Sequence, residues 1–235
     1  MTERSLNNLS SEDKARIKAA IYTAREKING RATLMAATKT VPAETINYAI
    51  KECSLTDIGE NRVQELLSKY DDLMKDGVNI HFIGTLQVNK VKYIVGKVCL
   101  IHSLDNRKLA EEISKRSLKA GIVTDCLCEV NIGEEDAKSG IPENEAESFI
   151  DSVKSLEGIR IRGLMVIGPH CPDTDGYRPF FERTKKLFDR LNAKGAFGGE
   201  PILSMGMSDN YPLACEYGAT LVRPGSAIFG SRIYR

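Results

Sequence analysis

Eight short apolar runs, each followed by a segment with helical spacing, constrain this chain more than any other feature. The runs begin at residues 32, 56, 80, 97, 123, 159, 201 and 220. Most are almost continuously apolar, as expected of strands buried on both faces of a sheet. The intervening segments carry apolar residues at helical spacing, for example Ile46, Ala49, Ile50 and Cys53 after the first run. A strand, a helix and a returning strand form a right-handed crossover, so the repeat predicts a parallel sheet flanked by helices. Eight such units in 235 residues fit a compact α/β TIM (β/α)8 barrel. A doubly wound open sheet is the runner-up, because the second run, TDIGEN at 56–61, is short.

An extra helix precedes the first strand, with Ile17, Ala20, Ile21, Ala24 and Ile28 on one face. Ser10 and Asp13 have the spacing of a capping box, and Gly30 ends the helix. No Pro/Gly/Ser-rich linker interrupts the chain, so residues 1–235 read as one domain.

The charge balance narrows the function classes. With 33 Lys+Arg against 32 Asp+Glu, the chain has no broad basic face for nucleic acid or an anionic membrane. The start, MTERSLNNLSSEDK, lacks the apolar core of a signal peptide, and no run reaches membrane-spanning length. Six cysteines show no CxxC pair and no zinc-type spacing, and Cys126 and Cys128 in DCLCEV read as small buried thiols. His170 and Cys171 alone make no metal site. These features predict a cytoplasmic protein with reduced thiols and no metal.

In a barrel of this kind the chemistry lies past the carboxyl ends of the strands. Lys39 closes the first run, ATLMAATK, where packing of its stem desolvates the amine and favours the neutral, nucleophilic form. A lysine merely reaching solvent from a strand end is the alternative. Gly206-Met207-Ser208 and Arg223-Pro224-Gly225-Ser226 follow the last two strands, where barrels commonly bind phosphate, although ordinary turns have the same composition. Arg223 interrupts the apolar TLVRPG and needs a partner, either a buried carboxylate or a ligand acceptor. Asn61 stands at the second strand end, where it can orient such a ligand. His81 and His102 lie inside apolar strands and read as satisfied core histidines.

ATKT (37–40), IGENRVQE (58–65), HFIGTLQVNK (81–90), KSG (138–140), GLMVIG (163–168), LSMGMSDN (203–210) and VRPGSAIFG (222–230) occur in this order. Together they closely resemble the pyridoxal phosphate homeostasis family, PLP-binding barrels similar to the alanine racemase N-terminal domain. The resemblance covers residues 10–235. It implies that Lys39 holds pyridoxal 5′-phosphate as an internal aldimine, with Asn61 beside the cofactor. It further implies that Ser208, Gly225 and Ser226 bind the phosphate and that Arg223 faces the pyridine nitrogen. Ile80 stands where the family frequently has tryptophan, and Thr38 where serine is common. Racemase relatives carry a second acid/base, a tyrosine from a C-terminal β domain. This chain ends at Arg235, just past its eighth run, and that domain is expected to be absent.

The resemblance therefore implies a non-catalytic carrier or buffer of PLP, with PLP-dependent apo-enzymes as recipients and a monomeric state. An arginine that keeps its protons leaves the pyridine ring a weak electron sink, which suits that role. The alternatives are a PLP-dependent amino-acid racemase or decarboxylase using a base such as Tyr211 or His81, and a barrel binding another phosphorylated ligand.

Overall fold

All eight apolar runs form strands, and the strands close on themselves. The structure is a computed structural model describing residues 9–132, 139–169 and 171–230. Lys138 of the KSG motif and His170 lie outside the described residues. The barrel wall consists of β1 (Thr33–Ala37), β2 (Asp57–Glu60), β3 (Asn79–Phe82), β4 (Leu100–Leu104) and β5 (Thr124–Asn131). It continues, after a two-residue strand β6 (Ile141–Pro142) on the end of β5, through β7 (Ile159–Met165), β8 (Ile202–Ser204) and β9 (Leu221–Val222). Every pairing is parallel. The β4–β5 ladder and the β9–β1 ladder, Thr33 opposite Leu221 and Leu34 opposite Val222, complete the ring. The short second run pairs on both sides, Met35 with Asp57 and Ile58 with Ile80, which excludes the open sheet.

Helices follow most strands: α2 (Ala43–Cys53), α3 (Val63–Tyr70), α4 (Arg107–Lys119), α5 (Ala146–Val153), α6 (Arg178–Ala193), α7 (Tyr211–Glu216) and α8 (Ser226–Phe229). After β3 the expected helix is a 3-10 turn, Val88–Tyr93. The apolar spacing at 63–74 predicts a longer α3 than forms. Asn47 of α2 donates to the Asp72 carbonyl at 2.8 Å and accepts from the Met74 amide at 2.8 Å, drawing the chain out of the helix. The added N-terminal helix, α1 (Ser11–Ile28), packs on the side of the barrel against α2 and α8. It buries Ile17, Ile21, Ala24 and Ile28, and each isoleucine contributes about 1.5–3 kcal/mol. Ser10 caps it by accepting from the Asp13 amide at 3.0 Å. At the other end, Arg25 donates to the carbonyls of Cys53 and Ser54, both at 2.8 Å.

The main core lies between barrel and helices, with Ile46, Ile58, Leu66, Phe82, Ile101 and Phe181 fully buried. Cys126 and Cys128 are inert members of the same buried layer, their thiol pKa values driven well up by burial. Inside the barrel the apolar residues form two small clusters, one around Met35, Ala37 and Leu221, the other around Leu100, Leu127 and Met165. Polar residues occupy the space between them. Among the described residues no helix is long and apolar enough to cross a membrane, and no group of His, Cys, Asp and Glu is arranged to hold a metal.

Candidate functional site

The carboxyl ends of the strands gather the residues that the sequence singled out. Lys39 stands two residues beyond β1, half-buried, on a turn held from both sides. Thr38 before it is fully buried and donates its hydroxyl to Glu60 at 2.7 Å. Thr40 after it donates its amide to Glu65. Lys69 of α3 joins these supports, donating to Glu60 at 3.0 Å, to Glu65 at 2.6 Å and to the Thr38 carbonyl at 3.1 Å. Glu60 is 0% exposed and its second oxygen, Oε2, has no partner. Burial pushes its pKa up, and the adjacent Lys69 charge opposes the shift. Thr40 adopts a left-handed φ of 66°, a conformation that β-branched residues rarely take. Such strain persists only where surrounding bonds fix it, and here it sits beside the candidate lysine.

Arg223 follows β9 and is buried, but its partner is not a carboxylate. Its guanidinium donates to Ser204 Oγ at 2.7 Å and to the Val166 carbonyl at 2.8 Å. Burial lowers its pKa to about 10, and the charge of Glu129 resists that fall. It therefore remains a cation at neutral pH, able to donate and unable to accept. His81 and His102 are satisfied core histidines as expected, bonded to one another at 3.0 Å. His81 also meets Asp57 at 3.0 Å, which places it toward the amino-terminal end of the barrel, away from the candidate site. Tyr211, the other candidate base, packs in the outer core.

The two glycine loops meet. Ser208 Oγ accepts from the Gly225 amide at 3.0 Å and from the Ala227 amide at 3.1 Å. Both lone pairs are then used, so the hydroxyl hydrogen is what Ser208 offers to an anion. A Cβ on Gly225 would lie 3.1 Å from the Ala37 carbonyl, a tight contact, so the loop runs close against β1. Gly225, the exposed Ser226 and Lys39 line one cavity of about 400 Å³, bordered also by Arg16. Asn61 lines a second cavity, of about 260 Å³, with Glu129 and Asn131. Its Oδ1 is buried without a partner, an acceptor left for a ligand. Gly84 lets the chain close over it, since a Cβ there would fall 2.0 Å from the Asn61 carbonyl. The structure thus joins Lys39 with Gly225, Ser226 and Ser208, and sets Asn61 in a separate cavity.

Sequence reasoning missed three contributors. Glu129, buried in the same mouth, has its pKa raised to about 7 by burial and the nearby Asp105 charge, against the pull of Arg223. Its signal was an acid inside the apolar DCLCEV. Ser204 and Lys69 gave none, because a strand serine and a helix lysine are ordinary until the fold brings them to Arg223 and Glu60.

The family model described as alanine racemase, N-terminal domain, matches residues 13–233. A pyridoxal phosphate homeostasis protein of Aquifex aeolicus is 47% identical over 204 residues, covering 86% of this chain and 88% of that protein. The solved structure of PipY from Synechococcus elongatus with PLP bound superposes with a TM-score of 0.84. It is 29% identical, and the match covers 91% of this chain and 100% of that one. An alanine racemase of Clostridium difficile shares the fold, with a TM-score of 0.77 at 12% identity. That match covers 94% of this chain and 58% of the racemase.

Proposed function

This chain belongs to the pyridoxal phosphate homeostasis proteins of the alanine racemase N-terminal domain family, and on that premise we propose that it binds pyridoxal 5′-phosphate at the upper mouth of its barrel. The carrying observation is that Lys39 and the phosphate-type loop, Gly225 and Ser226, line one cavity. The donor set fits the group. Ser208 offers a hydroxyl hydrogen, and the first turn of α8 follows the loop, as an anion requires. Arg223 supplies a fixed donor for an aromatic nitrogen, and the orphaned Asn61 Oδ1 supplies an acceptor. Bound there, the cofactor supplies an aldehyde that condenses reversibly with a lysine amine, so a second amine releases it by exchange. Lys39 provides the amine, held in place by Thr38 and Thr40.

We read the whole chain as one cytoplasmic, monomeric domain that carries or buffers PLP for PLP-dependent apo-enzymes. Arg223 suits the carrier role without excluding racemisation, since racemase relatives carry an arginine facing the ring nitrogen as well. A cation that keeps its protons does not protonate a pyridine nitrogen, and the ring then withdraws electrons weakly. One observation favours a second reading, a weak racemase or decarboxylase activity. Glu129, poised at about 7, is able to exchange a proton near neutral pH.

An absorption spectrum before and after borohydride reduction, with Lys39→Ala alongside, tests the site. The expected result is a PLP band in the wild type that reduction fixes to Lys39 and that Lys39→Ala lacks. A phosphate ligand bound equally by Lys39→Ala, with no such band in the wild type, overturns the reading in favour of a plain phosphate-binding barrel. Turnover of any amino acid in a panel, lost in Glu129→Gln, decides for the second reading.

A further inference from the structure

A polar chain crosses the barrel interior and is not used by the ligand site as described. From Arg223 Nη1 it passes to Ser204 Oγ at 2.7 Å, and from Ser204 to His102 Nδ1 at 3.1 Å. His102 Nε2 meets His81 Nδ1 at 3.0 Å, and His81 Nε2 meets Asp57 Oδ1 at 3.0 Å. The five residues come from β2, β3, β4, β8 and the residue after β9, and all are buried. Asp57 and His81 border a cavity of about 320 Å³ at the amino-terminal mouth, so the chain spans from one mouth toward the other.

For a neutral His81, the Asp57 end fixes the direction of the bonds along the chain. A guanidinium only donates and a carboxylate only accepts. Ser204 therefore accepts from Arg223 and turns its own hydrogen to His102 Nδ1. His102 then carries its hydrogen on Nε2 and donates to His81, which in turn donates from Nε2 to Asp57. The opposite arrangement fails at the Asp57 end, where a neutral His81 would face the carboxylate with a bare nitrogen. Burial, with the Arg223 charge, favours the neutral ring at His102 that this direction needs.

We propose that Ser204, His102, His81 and Asp57 are positioning residues: a one-way hydrogen-bond chain, anchored near the far mouth, that aims Arg223 at the ligand's ring nitrogen. The inference deepens the PLP reading and rests on it. It predicts that a ligand acting on Arg223 at one end of the barrel is registered at His81 near the other.

Nitrogen NMR of the full chain labelled with 15N-histidine tests it, with added PLP as the probe. In the ligand-free protein, His102 is expected as the neutral Nε2–H tautomer, with the hydrogen of its Nε2 directed at His81 Nδ1. A Nδ1–H tautomer or a charged ring at His102 overturns the direction of the chain. Adding PLP is expected to shift the nitrogens of both His102 and His81. Ser204→Ala should weaken PLP binding roughly tenfold and abolish the His81 response, while Ser204→Thr, which keeps the hydroxyl, should restore both. PLP bound with unresponsive histidines, or unchanged affinity in a folded Ser204→Ala, sinks this proposal alone. A wild type that binds no PLP sinks the ligand reading, and the positioning role with it.

Discussion

Lys39 and Arg223 follow neighbouring strands, β1 and β9, yet the protein supports them in opposite ways. The support of Lys39 is local and ionic: Glu60, Glu65 and Lys69 lie within ten residues of one another, Glu60 accepting from the Thr38 hydroxyl, Lys69 donating to the Thr38 carbonyl and Glu65 accepting from the Thr40 amide. The support of Arg223 reaches across the barrel through an uncharged serine and a neutral histidine, and its carboxylate, Asp57, lies at the far end. The difference suits the roles proposed for the two residues. A lysine that exchanges its partner needs a fixed backbone, and the supports of Lys39 hold Thr38 and Thr40. An arginine that aims a donor needs a fixed side chain, and neutral acceptors hold that of Arg223.

The ionic side should be the more fragile. Lys69→Met leaves Glu60 buried without its cation and is expected to cost about 3–5 kcal/mol, read from the urea midpoint. Recovery of most of that loss in Lys69→Met/Glu60→Gln would attribute it to the stranded charge. Glu129, between the two sides, should make stability depend on pH. Its folded pKa is raised from 4.5 to about 7, so the folded chain holds a proton that the unfolded chain has released. Stability should therefore fall as pH rises through that window, by at most about 3 kcal/mol. Glu129→Gln should flatten this part of the curve, and an unchanged slope would refute the assignment. On the neutral side, Ser204→Ala strips one acceptor from Arg223 and should cost about 2 kcal/mol in thermal unfolding. The smallest effect has the opposite sign. Thr40→Gly relieves a left-handed β-branched residue and should gain up to about 1 kcal/mol, provided the Glu65 contact survives. If that gain comes with weaker PLP retention, the strain belongs to the lysine's positioning.

The barrel was legible because its evidence is periodic. Each strand lies within about three residues of its apolar run, and even the weak TDIGEN run is a strand, weak because Asp57 and Gly59 occupy alternate positions along it. Lys39, Ser208, Gly225 and Ser226 were legible as strand-end residues, and Arg223 as a charge in an apolar setting. The supports were not. Lys69 lies on an amphipathic helix whose polar residues are ordinarily solvated, and its partner Glu60 ends a strand on the helix-facing side, a pairing that only the tertiary fold creates. The early end of α3 was hidden for a similar reason, since Asn47 sits in a different helix. The φ of Thr40 runs against its residue type, so no propensity would announce it.

The seam where β1 meets β9 has a consequence in time. Two residue pairs, flanked by the Thr33 amide on the Thr220 carbonyl at 2.8 Å and the Ala37 amide on the Pro224 carbonyl at 2.9 Å, join the first barrel strand to the last, and the candidate site straddles that join. During synthesis Lys39 emerges long before Ser208, Arg223 and Ser226, so the pocket comes into being only when the ring closes. A ligand there acts as a clasp: whatever holds both sides of the seam opposes its opening, and the occupied barrel resists unzipping and proteolysis in proportion to its saturation.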